Sequence, residues 1–589
     1  MNELNKFDES GELDGLTEQK GDSQNSINSK NSTNSQNSEP SRYNIAQALA
    51  EMARRAPFRR AIVFPAGRDS RGRARYLQFS FQQLNELVDS YAYGLSEYGI
   101  SQGERALMMV RPGVELITVT FALVKNGAVP VILDPGMGRK AFLQCVVETE
   151  PNALIGIPLA HALSTLFPKT FKTIEHRVTV GKRWFWGGAT LDELQVDYFE
   201  PFPIAPTSTE SEAAVIFTSG STGIPKGVVF LQGMFRGLIE YLREEMGIAE
   251  GEVDMPGLPV FALANPALGV TTIVPDMDAR KPASLNPAHL VEAIQTHGVT
   301  TSFGSPTIWK LVGHYCMEND IKLPSLKRVA MTGAPVPPWL IKDLKERVLT
   351  DGEVYTPFGA TETLPMSNIS GSEILAETAA LTEQGWGVCV GKPLDGLSAR
   401  VIALTDEPIT DWDESLVLPS GELGEIAVKG PMVTRMYLNR PVQTAEAKIQ
   451  DKDGIWHRMG DLGYFDNRGR LWMCGRKAHR VETENGLLLP VPCEAIFNAH
   501  PEVARTALVG IGEYGHQLPV LVVELHSGRI PSGQAEEQLI EELLTLGQEY
   551  EHTHEIQEFL FHKSFPVDVR HNVKIQREKL AVWAQKQLR

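Results

Sequence analysis

Residues 213–230 read AAVIFTSGSTGIPKGVVF, and the middle of that stretch consists almost entirely of groups that bind anions. Thr218, Ser219, Ser221 and Thr222 carry hydroxyl donors, Gly220 and Gly223 let backbone amides approach a ligand closely, and Lys226 adds a cation at the far end. Phosphate is the ligand such a loop suits. A Walker A loop would need GxxxxGK[ST] running straight into a helix. Here Pro225 precedes the lysine, Gly227 follows it, and the chain resumes as VVF, which reads as a strand. The spacing therefore predicts a phosphate-holding loop between two strands. A plain Ser/Gly linker is the bland alternative, but linkers are not flanked this tightly by apolar β-type runs.

Further charged and small residues follow in a definite order. Gly333-Ala334-Pro335 comes after the strand-like KRVAMT, and Phe358-Gly359-Ala360-Thr361-Glu362 comes next. His457-Arg458-Met459-Gly460-Asp461, Gly475-Arg476 and, in HNVKIQREKL, Lys574 complete the series. Taken singly, Glu362, Asp461 and Lys574 would read as solvated surface charges. Taken together with the loop, the series resembles the adenylate-forming superfamily of acyl- and aryl-CoA synthetases, peptide-synthetase adenylation domains and luciferases, over residues 43–589. The resemblance implies an enzyme that uses ATP and Mg²⁺ to join a carboxylate to AMP, releasing pyrophosphate. It assigns Gly333, Ala334 and Pro335 to an adenine-stacking turn and Phe358, Gly359 and Ala360 to the nucleotide site. Thr361 would donate to a phosphate oxygen and Glu362 would hold Mg²⁺, since a hard cation prefers carboxylate oxygen. Asp461 would accept from the ribose hydroxyls with Arg476 beside it, and Lys574 would reach the α-phosphate. Preorganised cations and donors of this kind are what the charge on a reacting phosphorus requires.

The departures from the superfamily pattern narrow the reading. Where coenzyme A ligases commonly carry Asp or Lys two residues beyond the hinge arginine, this chain has Ala478, and Glu482 and Glu484 follow where a phosphorylated thiol would be repelled. Phe261-Ala262 stands where many ligases have an aromatic-His pair, and Val573 replaces the usual glycine before the lysine. GRKAHRVET, PCEAIFNAHP, FALANPALG and HNVKIQREKLAVW resemble the β-lactone synthetase branch of bacterial olefin biosynthesis. That resemblance implies a long-chain 2-alkyl-3-hydroxy fatty acid as substrate, intramolecular attack by its β-hydroxyl in place of a thiol, and other olefin-pathway enzymes (thiolase-like, reductase, hydrolase-like) as partners. Ala262, Ala264, Ala267 and Gly269 could leave room for alkyl chains or could simply be core. Fatty acyl-CoA or acyl-AMP ligase activity is the rival expectation, and a non-catalytic nucleotide-binding scaffold the other.

The elements that must position these residues read as α/β. YNIAQALAEMARRAP and FQQLNELVDSYAYGLSEYGI have helical period, and RALMMV, VPVILD and ALIGI are apolar strand-like runs between helical stretches, a βαβ alternation that continues past residue 400 through SARVIAL and GELGEIAVKG. The texture changes near residue 475. The expected organisation is a Ser/Asn-rich tail over 1–41, too poor in apolar residues to fold, then an AMP-binding domain over 42–474 of stacked βαβ-type sheets with a β-barrel-like subdomain. A hinge over 475–479 leads to a small mobile α+β domain over 480–589. At 589 residues the chain is long enough for more than one core. Its net charge of −17 excludes nucleic acid as a partner, five scattered cysteines without a CxxC pair fit a reducing compartment, and no apolar run is long enough to span a membrane. The cytoplasm is the expected location.

Overall fold

A computed structural model describes residues 41–588 except 134, 199, 219–224, 258–261, 279–280 and 568–574. The Ser/Asn tail to residue 40, the Ser219–Gly223 part of the phosphate loop, Phe261, Val573 and Lys574 lie outside the described residues.

Short apolar strands with helices between them build two seven-stranded sheets. The first runs, in spatial order, Ala189–Thr190, His176–Thr179, Ala153–Gly156, Arg105–Met109, Val129–Ile132, Glu212–Phe217 and Gly227–Leu231, parallel except for the last pairing. The second runs Glu353–Tyr355, Arg328–Met331, Thr301–Gly304, Val253–Asp254, Thr271–Ile273, Arg60–Arg68 and Ala74–Ser80, again parallel until its final antiparallel hairpin. Between the sheets lie the helices Ala46–Arg55, Phe81–Glu97 and Val114–Asn126, whose Leu49, Leu84, Val88, Leu95 and Phe121 share one core with Ile62 of the second sheet and Ala106 of the first. Full burial of such a side chain contributes about 1.5–3 kcal/mol. The Phe81–Glu97 helix starts where Ser80 and Gln83 satisfy each other's backbone amides in a capping box, Ser80 Oγ accepting from Gln83 N at 3.2 Å and Gln83 Oε1 from Ser80 N at 2.9 Å.

Beyond residue 355 the expected βαβ alternation stops. SARVIAL and GELGEIAVKG form Ser398–Ile402 and Gly424–Lys429, which pair antiparallel with each other. They belong to an eight-stranded antiparallel sheet that runs from Phe358–Ala360 through Thr363–Asn368, Val388–Pro393, Leu471–Arg476, Gly454–Phe465 and Gly424–Lys429 to Ser398–Ile402, with Lys448–Asp451 pairing alongside. The sequence-based error is physical: neighbouring strands here pair antiparallel, some through tight turns and some through short helices such as Ala379–Glu383 and Pro441–Ala447, and their apolar side chains meet in the Met366, Val401, Ile426 and Leu471 core. Among the described residues the end strands do not meet, so the expected β-barrel-like part is an open sheet.

Residues after 480 build a three-stranded sheet, Val503–Ile511, Leu518–Leu525 and Glu558–Phe561, with helices Pro490–Asn498, Gln534–Gly547 and Arg577–Gln587. Their buried Phe497, Leu521, Leu543 and Phe559 form a core separate from those of the first two sheets. Residues Pro40–Arg589 nonetheless form one compact unit.

Candidate active site

The phosphate loop leaves one strand and enters the next as expected. Glu212–Phe217 and Gly227–Leu231 are antiparallel neighbours, and the mouth of the loop is closed by Thr218 N donating to Lys226 O at 3.0 Å and Lys226 N donating to Thr218 Oγ1 at 3.2 Å. This fixes the start of the Lys226 side chain. Its Nζ lies 4.7 Å from the centre of the Tyr437 ring, a cation over an aromatic face.

Tyr437 is the residue that sequence reasoning missed. Its hydroxyl donates to Glu362 Oε1 at 2.6 Å, so one buried ring connects the loop lysine to the carboxylate predicted to hold metal. The connection runs through the backbone as well. Val433 bridges Thr363, Thr434 N donates to Glu362 O at 2.9 Å, Tyr437 bridges Val228, and Leu438 N donates to Gly227 O at 2.8 Å. The 433–438 segment is thus a strut between two motifs that are more than 130 residues apart in sequence. No local pattern in MVTRMYLNR announces it.

Lys448, also missed, lies beneath the same group. Its side chain is buried, its Nζ is 6.0 Å from the Tyr437 ring centre, and it donates to Thr434 O and to Thr434 Oγ1, the latter at 3.2 Å. Burial pushes its pKa down to about 7, against an upward pull from Glu362. His457, the first residue of the HRMGD run, is buried nearby, its Nδ1 lying 3.2 Å from Ala447 O. Burial first, and the Lys448 charge second, hold its pKa well below the usual histidine value, so the ring is neutral at pH 7. Burial, followed by the Glu362 charge, drives the Tyr437 phenol upward, so it stays a donor.

Asp461 and Arg476 face each other across the strands Gly454–Phe465 and Leu471–Arg476, with Arg476 Nε 3.2 Å from Asp461 Oδ1 and Arg476 Nη1 donating to Met459 O at 3.2 Å. The Arg476 charge is felt at both Tyr437 and His457. Gly333–Pro335 and Phe358–Ala360 follow the adjacent parallel strands Arg328–Met331 and Glu353–Tyr355, and Thr332 Oγ1 donates to Pro357 O at 2.8 Å between them. A Cβ on Gly359 would come within 2.4 Å of Thr363 O, so only glycine fits that turn. Thr361 begins the turn into Thr363–Asn368.

Ala262 and Ala264 are buried in the core between the sheets, and a Cβ on Gly269 would meet Glu250 and, on the Ala46–Arg55 helix, Met52. In the acidic segment Glu482 is paired, Arg480 Nε donating to its Oε1 at 2.8 Å, and Glu484 lies 3.1 Å from His516. Among the described residues no cluster of three His, Cys, Asp or Glu side chains could hold a metal alone. Glu362 keeps Oε2 beyond its Tyr437 bond, and with Lys226 and Lys448 close by it suits a cation that arrives already bound to phosphate oxygens.

A family model described as AMP-binding enzyme matches residues 49–438, a range that takes in the loop, the turn, the Thr361-Glu362 pair and the strut. The chain belongs to the AMP-binding enzyme family. It is an ATP-dependent adenylate-forming enzyme. Within that family it is 45% identical to an olefin β-lactone synthetase of Xanthomonas campestris over 92% of this chain and 98% of the relative. It is 46% identical to one of Stenotrophomonas maltophilia over the same shares. Among solved structures, the o-succinylbenzoate coenzyme A synthetase of Bacillus subtilis, in complex with ATP and magnesium ion, shares the fold with a TM-score of 0.70 at 21% identity, covering 90% of this chain and 98% of that one.

Proposed function

We propose that this AMP-binding enzyme activates a long-chain 2-alkyl-3-hydroxy fatty acid with ATP and lets the acid's own hydroxyl close a β-lactone. What carries the reading is kinship with two olefin β-lactone synthetases along nearly their whole length. In the first step a carboxylate oxygen attacks the α-phosphorus, the bond to the β-phosphate breaks and pyrophosphate leaves. In the second the β-hydroxyl oxygen attacks the acyl carbonyl, the bond to phosphate breaks, AMP leaves and the hydroxyl proton passes to solvent. Intramolecular delivery of the nucleophile replaces a second substrate.

Residues 218–226 cradle the phosphates, Lys226 neutralises charge there, and Thr361 donates to a phosphate oxygen. Glu362 would hold Mg²⁺ through the oxygen that Tyr437 leaves open, and the ion would supply charge neutralisation at the phosphates. Asp461 accepts from the ribose with Arg476 aligned beside it, while Gly333–Pro335 and Phe358–Ala360 border the adenine. The domain over 480–589 turns about residues 475–479 to bring Lys574 to the α-phosphate. The enzyme works in the cytoplasm beside other olefin-pathway enzymes.

Coenzyme A ligation is the second reading, and the pairing of Glu482 with Arg480 favours it, because it weakens the repulsion a thiol cofactor would meet. One experiment separates the two. With ATP, Mg²⁺ and a synthetic 2-alkyl-3-hydroxy acid, NMR without heating should show a β-lactone and AMP at a rate indifferent to coenzyme A. Steady, coenzyme A-dependent turnover of the analogue lacking the hydroxyl to a thioester would decide for the ligase.

A further inference from the structure

The carboxyl-end edge of the first sheet carries a surface that the adenylation chemistry does not use. After His176–Thr179 the chain makes the loop Gly181-Lys-Arg-Trp-Phe-Trp-Gly-Gly188, bracketed by glycines whose missing Cβ positions at 181 and 187 face open space. Trp186 is the anchor: it is buried, stacks on His161 with ring centres 5.4 Å apart, and donates from Nε1 to Thr179 Oγ1 at 2.9 Å. Its two neighbours are turned outward. Trp184 is 61% exposed and Phe185 73%, each with its ring about one ring-width from Trp186, at 5.4 and 5.1 Å. Leu159, 70% exposed, opens the helix Pro158–Leu166 that leaves the adjacent parallel strand at the same edge.

Charge accompanies these apolar groups. The loops and first helical turns at the carboxyl ends of the parallel strands place exposed Arg111, Arg139, Lys140 and Lys182 along this edge. Arg183, also exposed, is bonded to Gly188 O and paired with Glu193 at 3.1 Å, and Glu115 is an opposing carboxylate on the same edge. A basic edge on a chain of net charge −17 is a local feature rather than a consequence of composition. Exposed Trp and Phe beside Lys and Arg are the chemistry of a headgroup interface, where aromatic rings sit at the acyl boundary and cations meet lipid phosphates.

The sheet order places this edge relative to the site. The strands before the aromatic loop and before the phosphate loop run parallel with four strand spacings between them, roughly 19 Å at about 4.8 Å each. The carboxyl ends of both strands therefore lie at the same end of the sheet. We propose that Trp184 and Phe185, with the basic residues along this edge, dock the enzyme on an anionic lipid bilayer. This inference stands apart from the β-lactone reading and would survive its failure.

The test is sedimentation of the full chain with vesicles of phosphatidylglycerol and phosphatidylcholine in equal parts, and with phosphatidylcholine alone, at low salt. The chain should bind the anionic vesicles at least about tenfold more tightly than the neutral ones. Trp184→Ser/Phe185→Ser should lower that affinity roughly tenfold, while pyrophosphate exchange in lipid-free solution and the thermal midpoint stay as in the parent. Lys182→Glu, at a solvated position, should weaken binding without removing an apolar group. Brominated acyl chains should quench the parent's tryptophan fluorescence, and the double variant should lose that quenching. The proposal is overturned if the parent stays in the supernatant, if the double variant binds as tightly as the parent, or if the parent is an oligomer that the double variant dissolves, which would make the aromatic pair a protein contact.

Discussion

The charged residues of the site differ in how much they depend on residues far away in sequence. Glu362 and Lys226 belong to short motifs and were legible, whereas Tyr437 and Lys448 were not, because each acts only through a tertiary contact with no periodic or local signature. Tyr437→Phe keeps the ring under Lys226 and removes only the bond to Glu362. A hydrogen bond to a charged group is worth about 1.5–3 kcal/mol, so pyrophosphate exchange should fall on the order of tenfold and require more Mg²⁺, as a metal titration would show. Exchange unchanged in rate and metal demand would remove Tyr437 from the positioning of Glu362. Lys448 makes a separate prediction about stability. Burial holds its folded-state pKa at about 7, against an ordinary 10.5, so between those values the unfolded chain keeps a proton that the folded chain has released. This group therefore makes stability rise with pH above 7 and adds no slope below it. Lys448→Met should flatten that rise in the thermal midpoint between pH 7 and 9.5, and a slope equal to the parent's would mean that the lysine is solvated in the folded state.

Elements were read correctly wherever their period was strong. The helices at Ala46–Arg55 and Phe81–Glu97 and the strand pair around the phosphate loop stand where the apolar spacing put them. The antiparallel region was misread because a short, almost fully buried strand such as Gly424–Lys429 reads the same in sequence whether its neighbour runs parallel or antiparallel. Gly359 is the point where this region turns toward the site. The hairpin Phe358–Ala360 with Thr363–Asn368 has a register shift between Phe358 and Ala360, and Thr363 O occupies the space a side chain would need. Gly359→Ala must push that carbonyl, and with it the backbone holding Thr361 and Glu362. Forcing one extra carbon into such a contact costs about 1–3 kcal/mol. The midpoint should drop by a few degrees, and ATP affinity measured by calorimetry should fall with it. A variant with full ATP affinity would show that this turn moves without disturbing the phosphate side.

At the scale of the whole molecule, Phe497, Leu521 and Leu543 pack in a core apart from those of the first two sheets, within the one compact unit Pro40–Arg589. What could not be read from the sequence is that charges on both sides of 475–479 interlock. Arg480 Nη2 donates to Asp406 Oδ2 at 2.6 Å, Lys477 lies 3.5 Å from Asp406 and 3.1 Å from Glu425, and Arg458 donates to Glu425 at 2.6 Å. The pairing depends on which loop of the eight-stranded sheet lies under the segment, and only the fold supplies that. If the domain over 480–589 turns during the reaction, the Arg480 to Asp406 contact must open, because residues 480 and 406 then belong to different bodies. Asp406 is 60% exposed at its side chain, so the pair is screened and contributes at most about 1 kcal/mol, enough to bias a conformational equilibrium several-fold without threatening the fold. Asp406→Ala should leave the thermal midpoint nearly unchanged and speed tryptic cleavage after Arg476, Lys477 or Arg480 by several-fold, since those bonds become accessible only when the segment releases. The same variant should alter the rate of the step that follows domain movement more than it alters ATP affinity. Cleavage at the parent's rate, with both half-reactions untouched, would mean that this charge network is fixed decoration and that any movement pivots elsewhere.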